Sequence, residues 1–366
     1  MTQKNKKPTV IVAMSGGVDS SVAAALLQRQ GYDVRGVHIK MWSDPDIPCL
    51  FTFDRIDAMK VAIQLGIPFT TWDLTREYRS AVVDYMIREF KAGRTPNPDV
   101  MCNSEIKFGV FLDKVLKTGA EYLATGHYVK KAQSAKRKAQ SQSTIQKLYI
   151  AADGNKDQSY FLWRLNQQQL RHSLFPLGGL TKPQVRVLAK QFKLPTADKP
   201  DSQGICFIGE INLKDFLEHY IPRRPGTIVT TDGRVLGHHE GLPFYTIGQR
   251  EGLGLGGGIP YYVVAKNFKT NQLIVGSRGA AELFLPSLRF TAANWLLGSE
   301  PKLPLICLAR IRYRQPLERC RVKRISGRGI RAIYQAKFTE PQRAITPGQS
   351  IVLYRSEEMI GGGIII

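Results

Sequence analysis

The stretch Met14-Ser15-Gly16-Gly17-Val18-Asp19-Ser20-Ser21 lies between an apolar run and an Ala- and Leu-rich segment. The run Thr9–Ala13 predicts a strand and the segment Val22–Gln30 predicts a helix, so the stretch is a glycine turn ending at a helix N-terminus. Such a turn directs backbone N–H groups at whatever it holds, and anions fit there. Gly16 and Gly17 carry no Cβ that would keep a phosphate away from the backbone.

Polar side chains of the same turn extend this chemistry. Ser15, Ser20 and Ser21 supply hydroxyl donors, and the carboxylate of Asp19 is suited to capping the helix or helping to hold Mg²⁺. The turn is not the G-x-x-x-x-G-K-[ST] phosphate loop, since the chain contains no Gly-Lys pair. Its Ser-Gly-Gly-x-Asp-Ser order resembles the PP-loop of ATP pyrophosphatases, which cleave ATP to AMP and pyrophosphate. The alternative is a capped glycine turn in an ordinary α/β protein.

Composition limits the class of protein. A chain of 366 residues predicts two or three domains. It has no window of about 18 apolar residues that would predict a membrane helix, and residues 1–7 lack the apolar region of a secretory signal. We therefore expect a cytoplasmic protein that does not enter a membrane. The net charge of +22 favours a polyanionic partner, and the alternative is a basic protein without one.

The cysteines are unsuited to a structural framework. Their number is odd and no Cys-x-x-Cys occurs, so neither a disulfide scaffold nor the common zinc and iron–sulfur spacings are expected, and we predict no metal site built from protein ligands alone. The five are Cys49, Cys102, Cys206, Cys307 and Cys320.

Strands and helices alternate through residues 1–215, which predicts an α/β domain with a parallel sheet. Ligands of such sheets lie beyond the carboxyl ends of the strands, where the glycine turn, Met41 and Gly126-His127 are expected. Hairpin signals over 216–283 predict a small β-rich central domain, and short strands over 284–366 predict a β-barrel. The last region carries 14 Lys and Arg against five Asp and Glu, which suits contact with a phosphate backbone.

Several local predictions can be compared with the structure. We expect a helix over Thr75–Lys91 with Thr75 as its N-cap, a flexible basic loop over Lys130–Lys147 and a helix over Asp157–Leu165. Arg310, Arg312 and Arg314 are expected to alternate along one face of a strand.

Two cysteines lie in unusual surroundings. Cys102 follows the proline-fixed segment Gly93–Met101 and is expected at the start of a helix, where a thiol pKa falls, with Asp99 three residues earlier. Cys206 lies in a segment bounded by glycines. On spacing alone a functional pair is a moderate hypothesis, because buried inert cysteines are common.

A set of motifs in order along the chain resembles the bacterial and organellar tRNA 2-thiouridylases, a family with a PP-loop. The motifs are SGGVDS at Ser15–Ser20, GRTPNPDVMCN at Gly93–Asn103, TGHY at Thr125–Tyr128, KDQSYFL at Lys156–Leu162, DSQGICFI at Asp201–Ile208 and YTIGQR at Tyr245–Arg250. The basic insertion at 130–147 departs from the family pattern and touches none of these motifs.

The resemblance implies a role for each matching position. ATP-binding residues would be Ala13, Met14, Ser15, Gly16, Gly17, Val18, Asp19, Ser20, Met41 and Gly126. The target uridine would meet Asn97, Pro98 and Asp99, and other tRNA contacts would be His127, Lys156, Asp157, Gln158, Arg312, Tyr313 and Gln349. Cys102 would be the nucleophile and Cys206 the persulfide carrier, with Asp99 moving the base proton.

The implied reaction is ATP- and Mg²⁺-dependent 2-thiolation of the wobble uridine in a tRNA anticodon loop, with sulfur from a persulfide-donating relay protein, by a monomer. Two alternatives stay open. Another PP-loop enzyme, such as an amide-forming synthetase, gives no role to Cys102 and Cys206, and a non-catalytic RNA-binding or sulfur-relay protein gives no role to the ATP loop.

Overall fold

The computed structural model describes residues 7–43, 51–135, 144–201, 213–256 and 258–366. The described strands form a five-stranded, a four-stranded and an eight-stranded sheet. Within these ranges no helix combines the length and apolar character needed to cross a bilayer.

Strands and helices alternate in the N-terminal part. The strands are β1 (Thr9–Ala13), β2 (Asp33–Lys40), β3 (Phe69–Asp73), β4 (Tyr122–Ala124), β5 (Lys130–Ala135), β6 (Thr144–Tyr149) and β7 (Ser173–Leu174). The helices are α1 (Val18–Arg29), α2 (Phe51–Leu65), α3 (Thr75–Tyr78), α4 (Asp84–Lys91), α5 (Pro98–Met101), α6 (Leu112–Lys117), α7 (Gln167–Arg171), α8 (Lys182–Gln191) and α9 (Leu213–Glu218).

The predicted parallel sheet is confirmed, in the order β3-β2-β1-β4-β7. Its central strand is buried on both faces. Val10 and Val12 pack in one apolar cluster with Val22 of α1, whereas Ile11 packs in a second cluster with Val37. Helices therefore cover both faces, and β1 lies between β2 and β4 so that their carboxyl ends form one edge.

The helix predicted over Thr75–Lys91 is a continuous run in which α3 and α4 are joined by a widened turn, Arg79–Val83. The predicted N-cap is wrong, because Thr75 is already the first helical residue. Its backbone N–H donates instead to the carboxylate of Asp73 at 2.9 Å. An aspartate two residues earlier therefore satisfies a donor at the helix start.

The loop predicted over Lys130–Lys147 is wrong at both ends, and its tip, 136–143, lies outside the described residues. β5 and β6 pair antiparallel, with Ala132 opposite Lys147. Ile145, Gln146 and Leu148 of β6 are all buried, and the polar residues among them hide the strand pattern in the sequence. The helix predicted over Asp157–Leu165 is also wrong, since only a short helical turn, Ser159–Leu162, forms there.

The central sheet contains β8 (Gly226–Thr230), β9 (Val235–His239), β10 (Tyr262–Asn267) and β11 (Gln272–Gly276). Both predicted hairpins are present, β8 with β9 and β10 with β11. They join through a parallel pairing of β11 with β8, which gives the order β10-β11-β8-β9.

The C-terminal strands are β12 (Phe284–Trp295), β13 (Leu305–Arg310), β14 (Glu318–Ser326), β15 (Ile333–Arg343), β16 (Ser350–Arg355) and β17 (Glu358–Ile365). They run in the order β12-β15-β14-β13-β16-β17, and β12 pairs with β17 to close the predicted barrel. Alternation along β13 buries Cys307 and Ala309 and leaves Ile306 exposed.

Two features tie the barrel to the N-terminal part. β6 pairs with β17, so the β5–β6 hairpin extends the barrel sheet. A Cβ at Gly362 would lie 2.8 Å from the Trp163 ring, so that glycine permits close packing of β17 on the indole.

The prediction that Arg310, Arg312 and Arg314 alternate along one strand face is wrong, because β13 ends at Arg310 and Arg314 has a φ of +63°.

Candidate active site

The glycine turn joins the carboxyl end of β1 to α1. Gly17 is the N-cap residue of α1 and has extended backbone angles, whereas Gly16 has a φ of +80°. A Cβ at Gly16 would lie 2.2 Å from the backbone oxygen of Asp54. Both conformation and space therefore require glycine at position 16, and the helix start that follows presents N–H groups to an anion.

The hydroxyls of the turn have distinct environments. The Oγ atoms of Ser15 and Ser20 lie 3.2 Å apart, and the Ser15 backbone N–H donates to Ser20 Oγ at 3.2 Å. Ser21 Oγ donates to the Gly17 carbonyl at 2.8 Å and accepts a hydrogen bond from Thr196 at 3.0 Å. Ser20 Oγ also donates to the Gly17 carbonyl, at 3.1 Å, so Ser20 and Ser21 stabilise the turn from within, whereas the exposed Ser15 hydroxyl is placed to meet a ligand.

Asp19 forms an ion pair that the sequence did not reveal. Lys182, the first residue of α8, donates to both Asp19 carboxylate oxygens at 2.7 and 2.8 Å. Tyr128 donates its hydroxyl to Asp19 at 2.7 Å. A lysine ammonium therefore lies beside the helix start that would receive a phosphate. The sequence pattern that could have indicated Lys182 is Thr181-Lys182-Pro183, which marks a helix start with a cation in the first turn.

The ion pairs continue from Lys182 to Asp201. Asp201 binds Lys182 at 2.8 Å, Lys156 at 2.6 Å and Arg186 at 2.9 Å. Burial would raise the pKa of Asp201, but the hydrogen bonds from Lys156 and Lys182 outweigh it and lower that pKa to about 2. Asp201 is therefore an anion at neutral pH, and it fixes three cations near the glycine turn.

The structure brings Gly126 and Met41 to the same edge of the sheet. A Cβ at Gly126 would lie 2.8 Å from the Ser20 backbone nitrogen and 2.9 Å from the Asp19 carbonyl carbon. Met41 follows β2 and is partly buried against the apolar core. Two neighbouring strands therefore place these residues around the turn between them, where adenine nucleotides bind in such sheets.

The segment before Cys102 is a second part of the site. Asn97 is the N-cap of α5 and accepts the Val100 N–H at 3.3 Å, with Pro98 in the first helical position. The helical run that begins at Pro98 continues through Cys102 to Lys117. The expectation that Cys102 starts a helix is therefore wrong, because Cys102 lies one turn inside, and its side chain is 3% exposed.

Asp99 and His127 share an electrostatic neighbour. Burial raises the pKa of Asp99, against the opposing effect of the Lys107 ammonium. Burial lowers the pKa of His127 well below its usual range, and Lys107 lowers it further. Thr125 Oγ1 and His127 Nδ1 are 2.7 Å apart. The helix that carries Lys107 thus links the Asn97–Cys102 segment to the end of β4, and His127 is a neutral imidazole at pH 7.

Known protein families match all three parts of the chain. Family models match residues 8–210 (tRNA methyl transferase HUP domain), 214–277 (tRNA methyl transferase PRC-barrel domain) and 286–365 (Aminomethyltransferase beta-barrel domain). The chain is 46% identical over 368 residues to tRNA-specific 2-thiouridylase MnmA 2 of Geobacillus kaustophilus, covering 99% of this chain and 96% of that protein. It is 47% identical over 369 residues to tRNA-specific 2-thiouridylase MnmA of Streptococcus mutans, with the same coverage.

The chain belongs to the MnmA family of tRNA-specific 2-thiouridylases. Among solved structures, a 4-thiouridine synthetase–RNA complex with bound ATP is 18% identical, with a TM-score of 0.37, and the match covers 58% of this chain and 50% of that one.

Several residues that the MnmA resemblance assigns to tRNA are engaged inside the protein. Asp157 is 1% exposed and accepts hydrogen bonds from Ala151, Ser159 and Arg310. Lys156 is held by Asp201. Gln158 accepts the Tyr128 backbone N–H at 2.9 Å. These side chains fix the segment between β6 and α7, and their contact with RNA stays a prediction.

Arg312, Tyr313 and Gln349 also have partners inside the protein, and those of Gln349 immediately precede Asn97. The Arg312 guanidinium donates to the carbonyls of Ile247 and Ala344 and to the Thr346 hydroxyl. Gln349 donates to the Thr95 and Pro96 carbonyls. The ring of Tyr313 lies 4.6 Å from that of Phe161 and 5.1 Å from the Arg314 guanidinium.

Cys206, the second cysteine of the implied mechanism, lies outside the described residues, so its role as persulfide carrier stays a prediction. Cys49 also lies outside them. Cys307 and Cys320 are buried and face each other across β13 and β14, with Sγ atoms 3.7 Å apart.

Proposed function

We propose that this chain is a tRNA-uridine 2-sulfurtransferase that converts the wobble uridine, U34, to 2-thiouridine while cleaving ATP to AMP and pyrophosphate. The observation that carries the proposal is the juxtaposition of two loops. A glycine turn shaped for phosphates lies at the same sheet edge as Gly126, and the next residue, His127, shares Lys107 with Asp99 of the cysteine-bearing segment. Relatives that span the chain support it.

ATP is the proposed cosubstrate, bound by Ala13–Ser20, Met41 and Gly126. The N–H groups at the start of α1 and the ammonium of Lys182 would stabilise the departing pyrophosphate. Asp19 is the carboxylate of the turn that would hold Mg²⁺, which commonly takes only one or two carboxylates, but the ion would have to displace the Lys182 ammonium from it. When bound, the ion would neutralise phosphate charge.

The first chemical step is adenylation of the base. The C2 oxygen of the uridine attacks the α-phosphate of ATP, and the bond between that phosphate and pyrophosphate breaks. The N3 proton must leave the base as C2 becomes electrophilic, and Asp99 is the proposed acceptor. A carboxylate whose pKa is raised by burial is a stronger base than an exposed one. Asn97 and Pro98 would hold the uridine beside it.

Sulfur transfer is the second step. The terminal sulfur of a Cys206 persulfide reaches C2, either directly or as sulfide released when Cys102 attacks the persulfide, and AMP leaves. Attack by Cys102 on the Cys206 sulfur leaves a Cys102–Cys206 disulfide, which an external thiol must reduce with two electrons. A persulfide-donating relay protein would recharge Cys206.

The proposed macromolecular substrate is the anticodon loop of tRNA, in the cytoplasm, with the protein acting as a monomer. A net charge of +22 favours a phosphate backbone. Uridine in a loop is unstacked at lower cost than uridine in a duplex. His127, Lys156, Asp157, Gln158, Arg312, Tyr313 and Gln349 are the proposed tRNA contacts.

The test is a reconstituted reaction with purified protein, an unmodified tRNA transcript, Mg²⁺-ATP and a persulfide donor. We expect 2-thiouridine by mass spectrometry of digested tRNA, with AMP and pyrophosphate released in equal amounts. AMP formation that depends on a carboxylate and an amine but not on tRNA would instead support an amide-forming synthetase. Tight tRNA binding without any AMP would indicate a non-catalytic RNA-binding protein.

A further inference from the structure

The turn between β15 and β16, Ala344–Gln349, contacts the backbone of the segment that leads to Asp99. We call it the barrel turn. The Thr95 N–H donates to the Pro347 carbonyl at 2.9 Å. The side-chain amide of Gln349 donates to the Thr95 carbonyl at 2.9 Å and to the Pro96 carbonyl at 3.0 Å. Three hydrogen bonds thus join the barrel to the two residues immediately before Asn97.

The barrel turn approaches the Thr95 backbone so closely that position 348 requires glycine. Gly348 has a φ of +93°, and a Cβ there would lie 2.8 to 3.0 Å from the backbone atoms of Thr95. The central domain holds the same residue, because the hydroxyls of Thr95 and Thr246 are 3.1 Å apart. Thr95 is therefore fixed from two sides, and little freedom remains for the loop that follows it.

The barrel turn is itself fixed. Arg312 donates to the Ala344 carbonyl at 3.1 Å, to the Thr346 hydroxyl at 2.7 Å and to the Ile247 carbonyl at 2.8 Å. All three acceptors lie around one guanidinium nitrogen, Nη2, so they share its two hydrogens and the turn is held at this one point. An anchored turn therefore carries Gln349.

We propose that Gln349 is a positioning residue for the thiolation reaction, which sets the placement of Asn97 and Asp99 by holding Thr95 and Pro96 from the barrel. The inference rests on the proposed function, and it gives Gln349 a role in addition to tRNA contact. Misplacing a reacting group by about 1 Å can cost on the order of 10²-fold in rate. The loss from removing Gln349 should therefore fall on the rate of adenylation at saturating tRNA.

The experiment uses the full chain with saturating tRNA and Mg²⁺-ATP, and it measures pyrophosphate release in a single turnover together with the tRNA Kd. Gln349→Met removes both amide donors, and Gln349→Glu keeps the shape and polarity but lacks the donors. We expect both to slow release at least tenfold at saturating tRNA, whatever change in the tRNA Kd the loss of a proposed RNA contact brings. Gln349→Lys restores a donor and should recover most of the rate.

The matched control is Gln342→Met. Gln342 accepts from Gln315 and donates to the Glu340 carbonyl inside the barrel, and within the described residues no hydrogen bond joins it to Thr95 or Pro96. An unchanged rate with a raised Kd in Gln349→Met would overturn the proposal in favour of tRNA contact alone. An equal slowing by Gln342→Met would overturn it in favour of general loss of barrel stability. Failure of the proposed function is distinguishable, because the unmodified protein itself would then release no pyrophosphate.

Discussion

Lys182 donates to both carboxylate oxygens of Asp19, at 2.7 and 2.8 Å, from the first turn of α8 to the first turn of α1. Its ammonium thereby lies at the mouth of the glycine turn, 163 residues further along the chain. A cation at a helix start that would receive pyrophosphate adds to the field of the backbone N–H groups.

Lys182→Met should slow ATP-dependent pyrophosphate release about 10²- to 10³-fold, the usual loss when one preorganised donor to a developing negative charge is removed. The rate of pyrophosphate release is measured with labelled ATP and saturating tRNA in assays quenched at set times. Lys190→Met on the same helix is the control, since in the described part of the chain the ion pair of Lys190 is with the exposed Asp198. Equal activity of the two variants would exclude a phosphate role for Lys182.

Gly126→Ala should weaken ATP binding at least tenfold. Its Cβ would lie 2.8 Å from the Ser20 backbone nitrogen, and the backbone at the start of α1 would have to move. Calorimetric titration with a non-hydrolysable ATP analogue measures the effect. Gly179→Ala is the matched control, because a Cβ there meets nothing within 4 Å. Unchanged affinity in Gly126→Ala would show that ATP does not depend on this packing.

Cys102→Ser should abolish 2-thiouridine formation and leave the tRNA Kd within about twofold, because a hydroxyl is a far weaker nucleophile than a thiolate at neutral pH. Cys206→Ser should behave in the same way. Cys307→Ser, a buried cysteine of the barrel, is the control for thiol loss as such. Near-normal thiolation by either single variant would contradict the two-cysteine mechanism.

Asp201→Asn should lower stability by about 2 kcal/mol at pH 7, taking about 1.4 kcal/mol for each pKa unit. The folded-state pKa of Asp201 is depressed to about 2 from 3.8, so its stabilisation is present above pH 3.8 and is lost as the pH falls through 2. Urea unfolding across this range should show the two proteins converging in acid. A difference that does not shrink would mean that the ion pairs with Lys156 and Lys182 contribute nothing.

Binding of tRNA should weaken steeply with salt. If about six phosphates are contacted, log K falls with log[salt] with a slope near −4 to −5. Filter binding between about 50 and 300 mM KCl measures it. A slope near −1 would mean that the charge of +22 serves something other than the RNA backbone.

Patterns short enough to be read locally were predicted well. The glycine turn and both central hairpins depend on residues within a few positions of one another, the parallel sheet was inferred from the alternation of strand and helix patterns, and the structure contains all of them. The domain limits at 215 and 283 stay predictions. The hairpin over β5 and β6 was missed because its apolar residues are masked by Lys, Gln and Ser, and because its partner strand is distant in sequence.

The candidate site shows the same division. Motifs located the ATP and cysteine segments, but Lys182, Arg186 and the barrel turn join them through contacts that no local pattern contains. Arg310 and Arg312 illustrate the limit. The alternating arginines suggested a strand face that contacts RNA. Instead, Arg310 is buried in an ion pair with Asp157, and Arg312 donates hydrogen bonds to backbone carbonyls. Composition gives the number of charged residues but not the residues with which they pair.

The pairing of β6 with β17 constrains how the chain is made. Lys147 and Glu358 bind each other at 2.9 Å although 211 residues separate them. During synthesis the β5–β6 hairpin leaves the ribosome long before β17 exists, and its unpaired edge is the kind of surface that associates with other chains. The edge of β6 is therefore paired only when β17 has been made, and removing the barrel would expose that edge.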